Sequence, residues 1–162
     1  MLEAVADAVR WIDVFCETGA FDEAQSRRVL AAGQRKGLGL RVHGNQLGPG
    51  PGVRIAVDLG AASVDHCTHL TPADLEALAT STTVATLLPA CDLSTRQPPA
   101  PGRALLDAGA RVALASNCNP GSSYTSSMNL VVALAVLQCA MSTAEAVYAA
   151  TAGGAAALRR DD

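Results

Sequence analysis

Five short apolar runs punctuate the chain, and each breaks into polar or small residues at its carboxyl end. They are Trp11-Ile12-Asp13-Val14-Phe15-Cys16, Leu40-Arg41-Val42-His43, Ala61-Ala62-Ser63-Val64-Asp65, residues 82–88 and residues 111–115. Runs this short and this apolar suit buried parallel strands. Helical patterns lie between them. Residues 1–10 have helical composition. Asp22 is placed to cap a helix carrying Ala24, Val29, Leu30 and Ala31 on one side, and Gly37 and Gly39 close it. Residues 53–59 read as helix, and Thr71-Pro72 opens another that runs to about Ala79, with a threonine cap and proline in the first turn. A further helix is predicted over 102–108, stopped by Gly109. Helices then dominate, over 128–141, over 142–150 behind a Ser142 cap with Glu145 three residues on, and over 153–159. Gly48-Pro49-Gly50-Pro51-Gly52 reads as a shaped loop, and residues 91–101 as a long polar, proline-rich one.

Strand and helix thus alternate five times, which predicts an α/β fold of parallel βα units within a single domain over residues 1–162. The spacing fits either an open doubly wound sheet or part of an eight-fold barrel. No G-x-G-x-x-G or G-x-x-x-x-G-K motif is present, which weakens a nucleotide-binding sheet. The close on Arg159-Arg160-Asp161-Asp162, with no further strand, is expected of a fragment.

Composition narrows the picture. At 49% hydrophobic and 17% charged residues the chain is expected to fold, and with only 3% aromatics its core must be built from Ala, Val and Leu. A net charge of -3 argues against nucleic acid or an anionic membrane as partner. The longest apolar stretch, residues 130–140, is interrupted by Gln138 and too short for a bilayer span; no signal peptide is seen. Five scattered cysteines without a C-x-x-C pair suit reduced thiols and a cytoplasmic location.

Candidate chemistry collects after the strands, where α/β folds place their sites. His43 and His66 each end a strand run, His66 directly after Asp65. A lone histidine is commonly structural, but two strand-end imidazoles at one barrel mouth can bind a metal or move a proton. His69, nearer the next helix, reads as a surface or capping residue. Asn117, Asn119, Gly121 and Ser122 form the richest cluster. It reads equally as a turn satisfying its own backbone or as an anion site in which Gly121 and Ser122 N–H groups, with Asn119, hold a carboxylate. Asp13, Glu17, Asp58, Asp65 and Asp92 are available carboxylates, of which only Asp65 neighbours another candidate. Cys118 has no close histidine in sequence, and Arg96 reads as solvated.

Taken together, Asp13-Val14-Phe15-Cys16-Glu17, Val42-His43-Gly44-Asn45-Gln46-Leu47, Asp65-His66-Cys67, Leu87-Leu88-Pro89 and the run Ala113-Leu114-Ala115-Ser116-Asn117-Cys118-Asn119-Pro120-Gly121-Ser122-Ser123 resemble the imidazolonepropionases of the amidohydrolase superfamily. The resemblance runs from about Trp11 to Arg159. It implies a partial (β/α)8 TIM barrel of about five βα units, lacking the amino-terminal strands. It implies hydrolysis of the cyclic amide of 4-imidazolone-5-propanoate to N-formimidoyl-L-glutamate in histidine catabolism. One zinc or iron ion would activate the water.

By the same resemblance His43 matches a metal ligand, and His66 the histidine that assists the attacking water and polarises the carbonyl. Gln46 stands where many relatives carry a substrate-contacting glutamate, and Asn119, Gly121 and Ser122 match positions that hold the substrate. Two departures stand out. Asn117 occupies the place of the family's metal-ligating aspartate, and asparagine is a poorer ligand and no base. The amino-terminal His-x-His pair is absent. The resemblance therefore predicts an impaired or absent hydrolase in this chain as it stands. The alternatives are a non-catalytic binding or interaction fragment, for which exposed half-barrel edges favour self-association, and a gene remnant.

Overall fold

The computed structural model describes residues 2–160. In chain order the elements are α1 (Leu2–Val5), a 3-10 turn (Ala6–Ala8), β1 (Trp11–Cys16), α2 (Glu23–Gln34), β2 (Gly39–Gly44), α3 (Gly52–Asp58), β3 (Ser63–His66) and α4 (Pro72–Ala79). They continue with β4 (Val84–Leu87), α5 (Pro89–Thr95), α6 (Gly102–Asp107), β5 (Val112–Leu114), α7 (Met128–Gln138) and α8 (Thr143–Tyr148). A π-helical turn (Ala149–Gly153) then leads into α9 (Gly154–Ala157).

The five strands form one parallel sheet in the order β1-β2-β3-β4-β5. This is the α/β arrangement expected of five successive βα units, consistent with part of a barrel. The apolar alternation sets its two faces. Val14, Leu40, Val42, Val64, Ala85 and Leu87 bury one face under the helices that follow each strand, with Leu30, Ile55, Leu78 and Leu105 as their fully buried partners. The other, inner face carries a cross-strand row in register, Phe15, His43, Asp65, Thr86 and Ala113. At β4 and β5 the end of the chain folds over this inner face: Ala157 packs with Val84 and Ala113, and Arg41 Nη2 donates to the Ala157 carbonyl at 2.7 Å.

The helix starts read from sequence hold for physical reasons. Asp22, Thr71 and Ser142 each accept from the backbone N–H three residues on, and Gln25, Asp74 and Glu145 reach back to complete capping boxes. Four expectations are corrected. The loop expected over 91–101 begins as α5, because Pro89 opens a helical turn instead of merely ending β4. Arg96 stops that helix in the left-handed conformation, φ 58°. The helix expected over 1–10 divides into α1 and a 3-10 turn, and Met1 lies outside the described residues, as do Asp161 and Asp162 of the expected fragment end. The two last helices, expected as separate, run together through the π turn. His69, expected at the surface or as a cap, is half-buried and ties two loops together.

Candidate functional site

At the carboxyl ends of the strands a cavity of about 240 Å³ is lined by His43, Gln46, His66, Asn117, Asn119 and Ser122, with Phe15 as its apolar wall. These are all the site residues expected from sequence except Gly121, which is exposed and off the lining. A neighbouring inner-face cavity of about 570 Å³ shares His43 and Asn117 and reaches down to Arg41, Asp65 and Thr86. A cavity of about 720 Å³ lies elsewhere, among Leu106, Val112, Tyr148 and Gly153 near the start of β5, and no histidine lines it.

His43 stands on β2 between two carboxylate-bearing strands. Its Nδ1 lies 3.0 Å from Oδ1 and 2.8 Å from Oδ2 of Asp13 on β1. This hydrogen bond raises the imidazole's pKa above 6.5, and partial burial opposes the rise. On the β3 side Asp65 is its register partner, yet Asp65 Oδ1 is buried with no hydrogen-bond partner among the described residues. Burial pushes that carboxyl up, and the nearby His43 pulls it back in part. Thr86, next in the row, also holds a buried hydroxyl without a partner among the described residues.

His66 is placed by its backbone. Strict alternation would turn it toward the helix layer, opposite Asp65, but φ is 82° at His66 and 54° at Cys67. A bulky residue in the left-handed region is strained, and such strain gathers at functional sites. The ring sits 5.5 Å from that of His43, centroid to centroid, and is only 2% exposed. Its Nδ1 is buried without a partner among the described residues. Burial, and then the charge on His43, lower its pKa to about 4, so at neutral pH it is an uncharged imidazole.

The loop after β5 is arranged the other way. Asn119 Oδ1 accepts from the N–H groups of Gly121 and Ser122, each at 2.8 Å, and Asn119 Nδ2 donates to the Asn117 carbonyl at 2.6 Å and to Ser122 Oγ at 3.0 Å. Asn119 and Ser123 form a small antiparallel bridge, Ser123 Oγ donates to the Ser116 carbonyl, and Ser94 Oγ donates to the Ser122 carbonyl. Of the two readings left open by the sequence, the self-satisfying turn describes this conformation. The two N–H groups expected to hold a carboxylate are engaged within the loop, so a bound anion would have to displace Asn119 Oδ1 from them or take the place of an acceptor of Asn119 Nδ2.

Sequence reasoning named Glu17 as an available carboxylate and quoted Asn45 in a motif, but missed that they hold the loop around Gln46. Glu17 Oε1 accepts from the backbone N–H groups of Gln46 and of Leu47, the latter at 3.1 Å. Asn45, fully buried at φ 56°, accepts from Val53 N–H through Oδ1 and donates from Nδ2 to the His69 carbonyl. Asparagine before a glycine-proline loop, in a chain position that must turn left-handed, was the available signal. The loop then presses so closely on β2 that a Cβ at Gly44 would stand 2.8 Å from Gly52 Cα. Glycine at both positions is what lets the loop close beside the cavity.

For a metal the donors are few. His43 and Asn117 border the cavity, but no group of three or more His, Cys, Asp or Glu gathers to hold an ion among the described residues. A tetrahedral zinc site takes three or four such ligands. The residues present therefore do not fit a metal centre on their own.

No family model matches the chain. Curated relatives do. The imidazolonepropionase of Saccharopolyspora erythraea is 73% identical over 161 residues, covering 99% of this chain and 42% of that protein's length. That of an Arthrobacter species is 66% identical over 171 residues, covering 99% and 43%. The resemblance read from the motifs is thus borne out, and the chain spans about two fifths of the length of these relatives. Among solved structures, an amidohydrolase from a Sargasso Sea sample matches with a TM-score of 0.73 at 21% identity, over 96% of this chain and 39% of that one. An adenosine deaminase from Xanthomonas campestris with bound zinc matches at 0.71 and 20%, over 92% and 38%. These likenesses establish the amidohydrolase fold for the five-stranded unit.

Proposed function

We propose that this chain, homologous to the imidazolonepropionases along its whole length, carries the substrate-facing part of a cyclic-amide hydrolase site. The reaction is opening of the ring of 4-imidazolone-5-propanoate to N-formimidoyl-L-glutamate, in the cytoplasm. The observation that carries the reading is the 240 Å³ cavity, in which His43, Gln46, His66, Asn117, Asn119 and Ser122 converge.

The roles follow from the chemistry of each group. Neutral His66 can accept a proton from an attacking water, or hand a hydrogen bond to the ring carbonyl as charge builds on it. His43 offers a second imidazole within the same cavity. Gln46 supplies an amide that both donates and accepts toward the substrate's ring nitrogens. Asn119 and Ser122 meet the propionate by exchanging bonds made within their own loop, and Phe15 supplies an apolar side to the cavity. The zinc or iron of the proposed activity would meet His43 and the Asn117 amide. That pair falls short of a ligand set, and no step is routed through the ion.

A non-catalytic binding chain is the second reading, favoured by one observation. Asn117 cannot take or deliver a proton at neutral pH, so the cavity can recognise a substrate without turning it over. The two readings separate on one assay. The chain is incubated with 4-imidazolone-5-propanoate and zinc or iron, and N-formimidoyl-L-glutamate is measured alongside substrate affinity. Binding with little or no product is expected, and Asn117→Asp in a chain extended at its amino terminus should raise product formation by orders of magnitude. Absence of both binding and product, in either chain, would remove the reading.

A further inference from the structure

Asp13 does more than raise the basicity of His43: its contact is made at one ring nitrogen. In the register Asp13 lies beside Arg41 and Phe15 beside His43, so the carboxylate is diagonal to the imidazole on the same inner face. Both carboxylate oxygens approach the same ring nitrogen, Nδ1, at 3.0 and 2.8 Å. The other flanking carboxylate, Asp65, leaves Oδ1 without any partner among the described residues. The ring is held from the β1 side.

A carboxylate is an acceptor only, so the nitrogen it contacts must carry a proton. A neutral imidazole has one N–H and one lone pair, and the hydrogen bond at one nitrogen decides the state of the other. We propose that Asp13 is the positioning residue of His43: it fixes the proton on Nδ1 and so keeps Nε2 as the bare, electron-pair-bearing nitrogen of the 240 Å³ cavity. Phe15, edge-on to the ring at 6.2 Å, restricts its rotation from the same strand. The consequence is that His43 takes a proton or an electron-poor atom at Nε2, and does not donate a hydrogen bond there while neutral. Within the proposed hydrolysis this makes His43 an accepting group. The tautomer itself does not depend on that activity.

The test is long-range proton–nitrogen NMR of the chain labelled with 15N-histidine, at a pH where titration in the same spectra finds the His43 ring neutral. In the wild-type chain His43 is expected to be protonated at Nδ1 and bare at Nε2. Asp13→Ala should make the Nδ1-protonated form a minor one, while Asp13→Asn, whose amide oxygen still accepts, should restore most of it. The His66 signals report whether each variant keeps the fold around the cavity. Protonation at Nε2 in the wild-type chain would overturn the proposal, and that result needs no variant to fold. So would an Asp13→Ala chain whose His43 remains protonated at Nδ1. A chain that neither binds nor hydrolyses 4-imidazolone-5-propanoate and still gives the expected pattern would sink the proposed function and leave this assignment standing.

Discussion

His66 and Asn119 line the same cavity and stand in it in unlike states. Among the described residues the histidine holds a buried ring nitrogen with no partner, on a strained backbone, with an orphan carboxyl oxygen beside it on β3 at Asp65 and an orphan hydroxyl on the adjoining β4 at Thr86. The asparagine has both ends of its amide engaged, and with them the N–H groups of its own loop. Buried polar groups normally find partners, because leaving one bare costs about 1–3 kcal/mol. The histidine wall is therefore held in a state that a ligand or a further piece of barrel would relieve. The loop wall is complete as it stands and must exchange internal bonds to bind anything.

The comparison can be sharpened by pH, where the largest effects are expected. His66, lowered to about 4 against 6.5 unfolded, binds fewer protons folded than unfolded between those values. Its contribution is full above pH 6.5 and is lost as pH falls toward 4, on the order of 3 kcal/mol. Asp92, behind the site, is raised from 3.8 to about 6 by burial, against its bonds from Thr68 and Ala100 N–H. Its contribution is full below pH 3.8 and lost as pH rises through 6, of similar size. The two oppose each other between pH 4 and 6. Denaturant unfolding of Asp92→Asn should show stability rising with pH across that window, and of His66→Leu should show it falling. Parallel curves for the two variants would break the picture.

Next in size, Asn119→Ala removes the hub of the loop and should cost about 2 kcal/mol in urea unfolding, from several lost hydrogen bonds at a half-buried site. Thr86→Val, at a position 7% exposed, keeps the shape and removes an orphan hydroxyl. It should be neutral or stabilise by about 1 kcal/mol in the same measurement. If Thr86→Val cost as much as Asn119→Ala, the two walls would not differ in the way described. Ser122→Ala should be the mildest change, about 0.5 kcal/mol, because Asn119 keeps its backbone partners.

The sheet was legible because each strand leaves an apolar run between turn signals, β4 and β5 being buried throughout, and the capping boxes at Asp22, Thr71 and Ser142 mark their helices chemically. The residues that line the 240 Å³ cavity could be named from motif and strand-end position. Their state could not. That His66 turns inward depends on two successive left-handed residues, which no alternation pattern reports. That Asn119 turns its amide on its own loop is a choice between two hydrogen-bonding schemes with the same residues. The roles of Asp13, Glu17 and Asn45 escaped because they are cross-strand or cross-loop contacts between residues 30, 29 and 24 positions apart. α5 was missed because a proline after a strand marks either a stop or a first helical turn.

The most direct measurement follows the side-chain NMR signals of His66 and His43 while 4-imidazolone-5-propanoate is titrated into the chain without metal. The account predicts saturable shifts of both histidines, with His69, tied to Gln97 behind the wall, left in place. Histidine signals that stay unmoved up to millimolar substrate would contradict it.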